Sequence, residues 1–174
     1  ENAKKYLLSE GIRKDFIFKS GSPMKEIFNF YNNEINKSKI LSKLKLKQNE
    51  YIVVSIHREE NVDNKSNFES ILEALDQVQI NYKKNIIFST HPRTRKKIQD
   101  VTKKINQKIT FIKPLGFFDY IFLQKNSFVT LSDSGTLAEE SSILKFPAVS
   151  IRTSTERPEA VDSGSFVIGS LNNK

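Results

Sequence analysis

The chain contains no cysteine. Disulfides and thiol-ligated metal are thereby excluded, and a reducing compartment is the simpler reading. Histidine is almost as scarce, with 2 in 174 residues. No third ligand stands at a recognisable spacing from His57 or His91, and His57-Arg58-Glu59-Glu60-Asn61 lacks the second histidine of a zinc-binding helix, so no metal centre is expected. Long hydrophobic runs are missing too: nothing approaches the ~20 apolar residues of a membrane span. The opening ENAKKYLLSEGIRKD has no signal-peptide layout. The expectation is a soluble, cytoplasmic protein without a membrane partner. There is no internal repeat or low-complexity segment either.

What the chain has in excess is positive charge, with 28 Lys+Arg against 20 Asp+Glu and a net charge of +8. Such a balance attracts phosphate-bearing partners. The lysines are nevertheless scattered, at Lys37, Lys39, Lys43, Lys45, Lys47, Lys83, Lys84, Lys103 and Lys104, without interleaved aromatics. A solvated basic surface accounts for them better than nucleic-acid binding does. Hydrophobic residues make up 37% of the chain, with 13 Phe, enough for a packed core in one domain or one domain plus part of a neighbour.

The order of apolar runs reads as alternating strands and helices. A helix end over residues 1–10 stops at Gly11, and Asp15–Lys19 has the composition of a short strand. Pro23 suits the first turn of a helix carrying Ile27, Phe28, Phe30, Tyr31 and Ile35. Residues 32–49 are polar, with a short amphipathic helix around Ile40, Leu41 and Leu44, either a connection between units or a helix on a domain surface. Strands follow at 51–56, 85–90, 110–112, 128–131, 148–151 and 166–168. The helices between them cover 64–79, a basic stretch from His91 to about 106, 117–125 and 136–145. Short connections and near-continuous apolar strands predict an α/β fold, an open parallel sheet with helices on both faces.

Ligands of such sheets bind beyond the carboxyl ends of the strands. The polar clusters fall there: His57-Arg58, His91, Leu115 to Tyr120, Ser134-Gly135-Thr136 and Arg152 to Arg157. Asp133-Ser134-Gly135 is turn and cap chemistry opening a helix, and backbone N–H groups at such a start suit a phosphate. Glu140, one turn into that helix, repels phosphate but accepts hydrogen bonds from sugar hydroxyls. The combination points to a nucleotide or nucleotide sugar, though many strand-turn-helix units hold nothing. His57 reads either as a cap or, with Arg58, as a donor to a phosphate or leaving oxygen. His91 has a structural alternative of equal weight. Tyr120 and Phe117 are core aromatics by default, and one of them could stack on a base. Arg157 is either solvated or a clamp on a diphosphate. Glu59 and Glu60 fit a surface better than an acid/base pair.

Three segments in this order, HREEN at 57–61, SDSGTLAEE at 132–140 and RTSTERPEA at 152–160, resemble the non-hydrolysing UDP-N-acetylglucosamine 2-epimerases over most of the chain. The resemblance implies a glycosyltransferase-B-like architecture, two Rossmann-like domains with the UDP-sugar in the cleft. It makes residues 1–22 the tail of an N-terminal domain and residues 23–174 most of the C-terminal, UDP-binding domain of a longer chain. It assigns His57 a catalytic role beside the diphosphate, Leu115 and Tyr120 to the uracil, and Ser134, Gly135 and Thr136 to the phosphate turn. Glu140 goes to the ribose hydroxyls and Arg157 to the phosphates, while Arg58 and His91 match positions that bind a second UDP-sugar in regulated members. The chemistry implied is cofactor-free elimination and re-addition of UDP, on a homodimeric full-length enzyme whose catalytic carboxylates lie in the other domain. Thr136 replaces a glycine of the family's turn, and Leu115 a glutamine. Together with PLGFFDY and SSILKFP, these departures resemble the branch that makes UDP-N-acetyl-L-fucosamine for capsule or O-antigen. A glycosyltransferase half-domain or a non-catalytic UDP-sugar sensor is the alternative.

Overall fold

The computed structural model describes residues 2–99, 106–152 and 166–169. Its elements are α1 (Asn2–Ser9), a 3-10 turn (Lys14–Phe16), α2 (Met24–Phe30), α3 (Asn32–Asn36), α4 (Ile40–Lys43), β1 (Tyr51–Ser55), α5 (Glu59–Val62), α6 (Lys65–Tyr82), β2 (Asn85–Ser89) and α7 (Pro92–Gln99). They continue with β3 (Ile109–Ile112), α8 (Phe117–Lys125), β4 (Val129–Ser132), α9 (Leu137–Leu144), β5 (Ala148–Ile151) and β6 (Phe166–Gly169). All six strands are parallel, in the order β3-β2-β1-β4-β5-β6.

Period-two alternation explains how β1 can be apolar throughout. Ile52, Val54 and Ile56 join Phe68, Ile71, Leu72 and Leu75 of α6 and Ile86 and Phe88 of β2 in one core. Tyr51 and Val53 point to the opposite face, where they meet Ile40 of α4, Ile87 and Leu123 of α8. Each such side chain contributes roughly 1.5–3 kcal/mol by leaving water, so the central strand anchors two layers of helices at once. Tyr51 satisfies its buried hydroxyl by donating to the Leu123 carbonyl at 2.7 Å.

The helix starts and stops have local causes. Asn64 caps α6 by accepting from the Asn67 N–H at 3.2 Å. That helix runs three residues past Gln79 because Lys83 takes the left-handed conformation (φ 54°) at its end, without a glycine. The helix expected across Ile27 to Ile35 is two helices broken at Tyr31. Phe28 and Ile35 nevertheless share one buried cluster with Ile121 of α8. Ile40 is buried, so α4 is a packed helix of the sheet rather than connecting material.

Asp15–Lys19 is not a strand. Lys14–Phe16 forms a 3-10 turn, held by local bonds from Phe16 N to Arg13 O and Ile17 N to Lys14 O. Phe16 and Phe18 are 68% and 84% exposed. No strand among the described residues lies beside this segment to pair with its backbone, and a lone strand has no ladder to hold it. Local turn bonds win.

Candidate functional site

The chain runs outward from β1 to β2 and β3, then returns to the other side of β1 as β4. Two neighbouring strands whose connections leave in opposite directions create a crevice at their carboxyl ends. Ser55 pairs with Ser132 at the end of the β1–β4 register, so the residues after each strand face one another across that crevice.

Asp133 follows β4 and is 0% exposed. Its carboxylate accepts from the His57 N–H at 3.1 and 3.2 Å, the Arg58 N–H at 2.8 Å and the Asn61 Nδ2 at 3.0 Å. The His57 ring places Nδ1 3.2 Å from Oδ1 of the same carboxylate, with its side chain 50% exposed. Arg58 turns back over the loop, Nε donating to the Asp133 carbonyl at 2.9 Å. Asn61 also donates to Ile151 O at 3.4 Å, which brings in the end of β5. A buried anion is tolerable only with several donors, and here they come from the loop after β1.

Beyond Asp133, Ser134 to Thr136 form the turn into α9. The Ser134 and Thr136 hydroxyls are 3.0 Å apart, and Thr136 Oγ1 donates to Glu140 Oε1 at 2.7 Å. Glu140 is 8% exposed, and its other oxygen accepts from Gln124 Nε2 at 3.0 Å. The extra bulk of Thr136 is thus tied down along the helix toward Glu140. Gly135 is exposed and does not have the positive φ that demands glycine. A Cβ there would meet nothing nearer than Arg152 Nη1 at 4.0 Å, so its small size leaves room above the turn rather than relieving strain.

Tyr120 and Leu115 line the α8 side, packed against the core that holds Val53 and Leu123. Burial pushes the Tyr120 hydroxyl well above the ordinary tyrosine range. A hydrogen bond from the Ser55 side opposes this, and the negative charges of Glu140 and Asp133 add to it. The hydroxyl therefore stays protonated and polar within the crevice wall.

His57, Arg58, Ser134, Gly135, Thr136 and Glu140 are thus gathered at one place, with Tyr120 electrostatically coupled to it. His91 stands one strand further out, exposed, its carbonyl accepting from Arg95 N as α7 begins. Beside it a cavity of about 330 Å³ is lined by Thr90, Pro92, Arg95, Lys96, Lys113 and Pro114. Arg157 lies outside the described residues. Sequence reasoning missed the anchoring role of Asp133, read only as turn chemistry, and missed Asn61 as its partner and Gln124 as the partner of Glu140. The signal for Asp133 was an acid directly after an apolar strand, and its meaning depends on β4 lying beside β1. Among the described residues no group of three or more histidine or acidic side chains could hold a metal ion. No described helix is long and apolar enough to cross a membrane.

A family profile described as UDP-N-acetylglucosamine 2-epimerase matches residues 1–174. The UDP-N-acetylglucosamine 2-epimerase of Methanocaldococcus jannaschii is 37% identical over 175 residues, covering 97% of this chain and 48% of the relative. A structure of the Rickettsia bellii UDP-N-acetylglucosamine 2-epimerase superposes with a TM-score of 0.90 at 40% identity, over 100% of this chain and 46% of that one. The M. jannaschii enzyme in complex with UDP-GlcNAc and UDP gives 0.88 at 35% identity, over 98% of this chain and 48% of that one. The chain spans about half the length of the relatives it matches.

Proposed function

Since the chain belongs to the UDP-N-acetylglucosamine 2-epimerase family, we propose that it is the UDP-binding part of a UDP-N-acetylhexosamine 2-epimerase. The observation that carries this reading is the crevice between β1 and β4. It sets two cationic or donor side chains, His57 and Arg58, opposite a small helix-opening turn that is followed by a buried carboxylate. Phosphate sits against Ser134, Gly135 and Thr136, where the α9 N-terminus contributes favourable partial charge. Glu140 accepts from the ribose hydroxyls, its orientation fixed by Thr136 and Gln124. Leu115 and Tyr120 flank the uracil, and Arg157 reaches the phosphates.

The reaction is elimination of UDP across C1–C2 to a glycal, followed by re-addition with the C2 proton delivered to the opposite face. His57 and Arg58 stabilise the departing diphosphate, a developing charge best met by donors already in place. No cofactor takes part. Acid/base carboxylates come from a further domain, to which residues 1–22 belong, and the full-length protein is a cytoplasmic homodimer serving surface-polysaccharide synthesis. Exposure of Phe16 and Phe18 supports the tail assignment, as apolar surface awaiting that domain. The substrate is UDP-N-acetylglucosamine or, given Leu115, Thr136 and PLGFFDY, the 6-deoxy-L-talose analogue leading to UDP-N-acetyl-L-fucosamine.

The test is product analysis with the full-length chain. Incubation with each UDP-sugar in deuterium oxide should give the C2 epimer labelled at C2, still attached to UDP. Release of free sugar, or transfer to an acceptor without epimerisation, would replace this reading with a hydrolase or glycosyltransferase. Residues 1–174 alone should bind UDP weakly and not turn over.

A further inference from the structure

Among the buried charged groups, one is used by none of the roles above. Asp133 has been assigned no ligand contact of its own, yet its carboxylate, with no exposure at all, gathers three N–H donors and stands 3.2 Å from one imidazole nitrogen. We propose that Asp133 is a positioning residue that fixes the tautomer and aim of His57, so that Nε2 is the nitrogen presented to the ligand.

The argument is one of donors and acceptors. An ionised carboxylate only accepts, so Oδ1 at 3.2 Å favours the form of the ring that carries a hydrogen on Nδ1. Nδ1–H is thereby favoured, and Nε2 is the ring nitrogen left for a ligand on a side chain that is 50% exposed. The backbone bonds from His57 N and Arg58 N fix the carboxylate against the main chain from which the ring projects, so a turn of the imidazole away from Asp133 gives up the 3.2 Å Nδ1 contact. Arg58 is drawn into the arrangement by its Nε bond to the Asp133 carbonyl, which leaves its two terminal nitrogens for a phosphate. Asn61 completes the anchor from the side of β5. One buried acid after β4 thus orients both donors after β1. The proposal rests on the epimerase reading only for what His57 and Arg58 then act upon.

Asn is nearly isosteric with Asp, and its oxygen still accepts from the backbone. Its NH₂ group, however, can donate to Nδ1 and force the hydrogen onto Nε2. In the full-length chain labelled with ¹⁵N-histidine, His57 should show the Nδ1–H form, assigned by its disappearance in His57→Gln. Asp133→Asn should convert it to Nε2–H. With UDP-N-acetylglucosamine as substrate, Asp133→Asn should lower kcat about a hundredfold while KM changes little. The double variant with His57→Gln should be no worse than His57→Gln alone. An Nε2–H form in the unaltered protein, an unchanged spectrum in a folded Asp133→Asn, or additive losses in the double variant would each overturn the proposal. Nδ1–H that depends on Asp133 in a full-length protein with no epimerase activity would keep the positioning role and refute the reaction.

Discussion

Two neighbouring strands of the sheet end in a histidine, and their surroundings have little in common. After β1, the His57 backbone is held by the buried acid that follows β4, and its ring lies 3.2 Å from the same carboxylate. After β2, His91 is exposed at the start of α7, and the adjoining strand end is closed by Thr90, whose N–H and hydroxyl both donate to the Ile112 carbonyl of β3 at 3.0 and 2.9 Å. Beyond it lie Arg95, Lys96 and Lys113 around an open cavity. The local sequence is similar, an apolar run leading into a histidine. What differs is the neighbour. Among the described strands only the β1–β4 pair has connections leaving in opposite directions, so there the two loops open toward each other across a crevice.

The largest effect separating the two ends should come from removing their anchors. Asp133→Ala strands the His57, Arg58 and Asn61 donors and should lower stability by about 3 kcal/mol in urea denaturation, whereas Thr90→Val should cost about 1 kcal/mol. Equal losses would erase the contrast. Next in size is Glu140→Ala, which should weaken UDP binding to the full-length chain at least about tenfold by calorimetry. The matching change at the other end, His91→Ala, should leave affinity at the Ser134 turn within about twofold.

Alkaline pH should act more weakly, and on both core tyrosines. Burial raises the hydroxyl pKa of Tyr51 and Tyr120 above the ordinary value of 10.0. The unfolded chain therefore loses these protons first as pH rises past that value. It binds fewer protons than the native state there, so stability is complete below pH 10 and falls above it, by about 1.4 kcal/mol per pH unit for each group. Tyr120→Phe should halve that slope in denaturation curves taken at rising pH. Smallest of all is Gly135→Ala, expected within about 0.5 kcal/mol in stability since no atom crowds the site. Weaker UDP binding in that stable variant would mark the space above Gly135 as ligand space.

Much of this architecture was legible from period and punctuation. The strands at 51–56, 85–90, 128–131 and 148–151 were found within a residue or two of their ends, because a parallel strand covered on both faces must be apolar along its whole length. Helix 117–125 was legible for the same kind of reason, from the Pro-Leu-Gly turn before it. Asp15–Lys19 failed because strand composition without a partner strand does not make a strand. The break at Tyr31 failed because the spacing of Phe28 and Ile35 suits burial whether one helix carries them or two.

By itself, the sequence determined the α/β alternation, the placement of polar residues at strand ends, and the helix-opening turn at Ser134 with a carboxylate one turn later. These are matters of local periodicity, backbone preference and side-chain chemistry, which act over a few residues. Tertiary structure alone decided that β4 lies beside β1, some 75 residues away along the chain. That adjacency turns Asp133 from a turn residue into the anchor of His57 and Arg58, and it gives His57 a different setting from His91. Strand order depends on which faces bury which helices across the whole sheet, and no short stretch of sequence carries that sum.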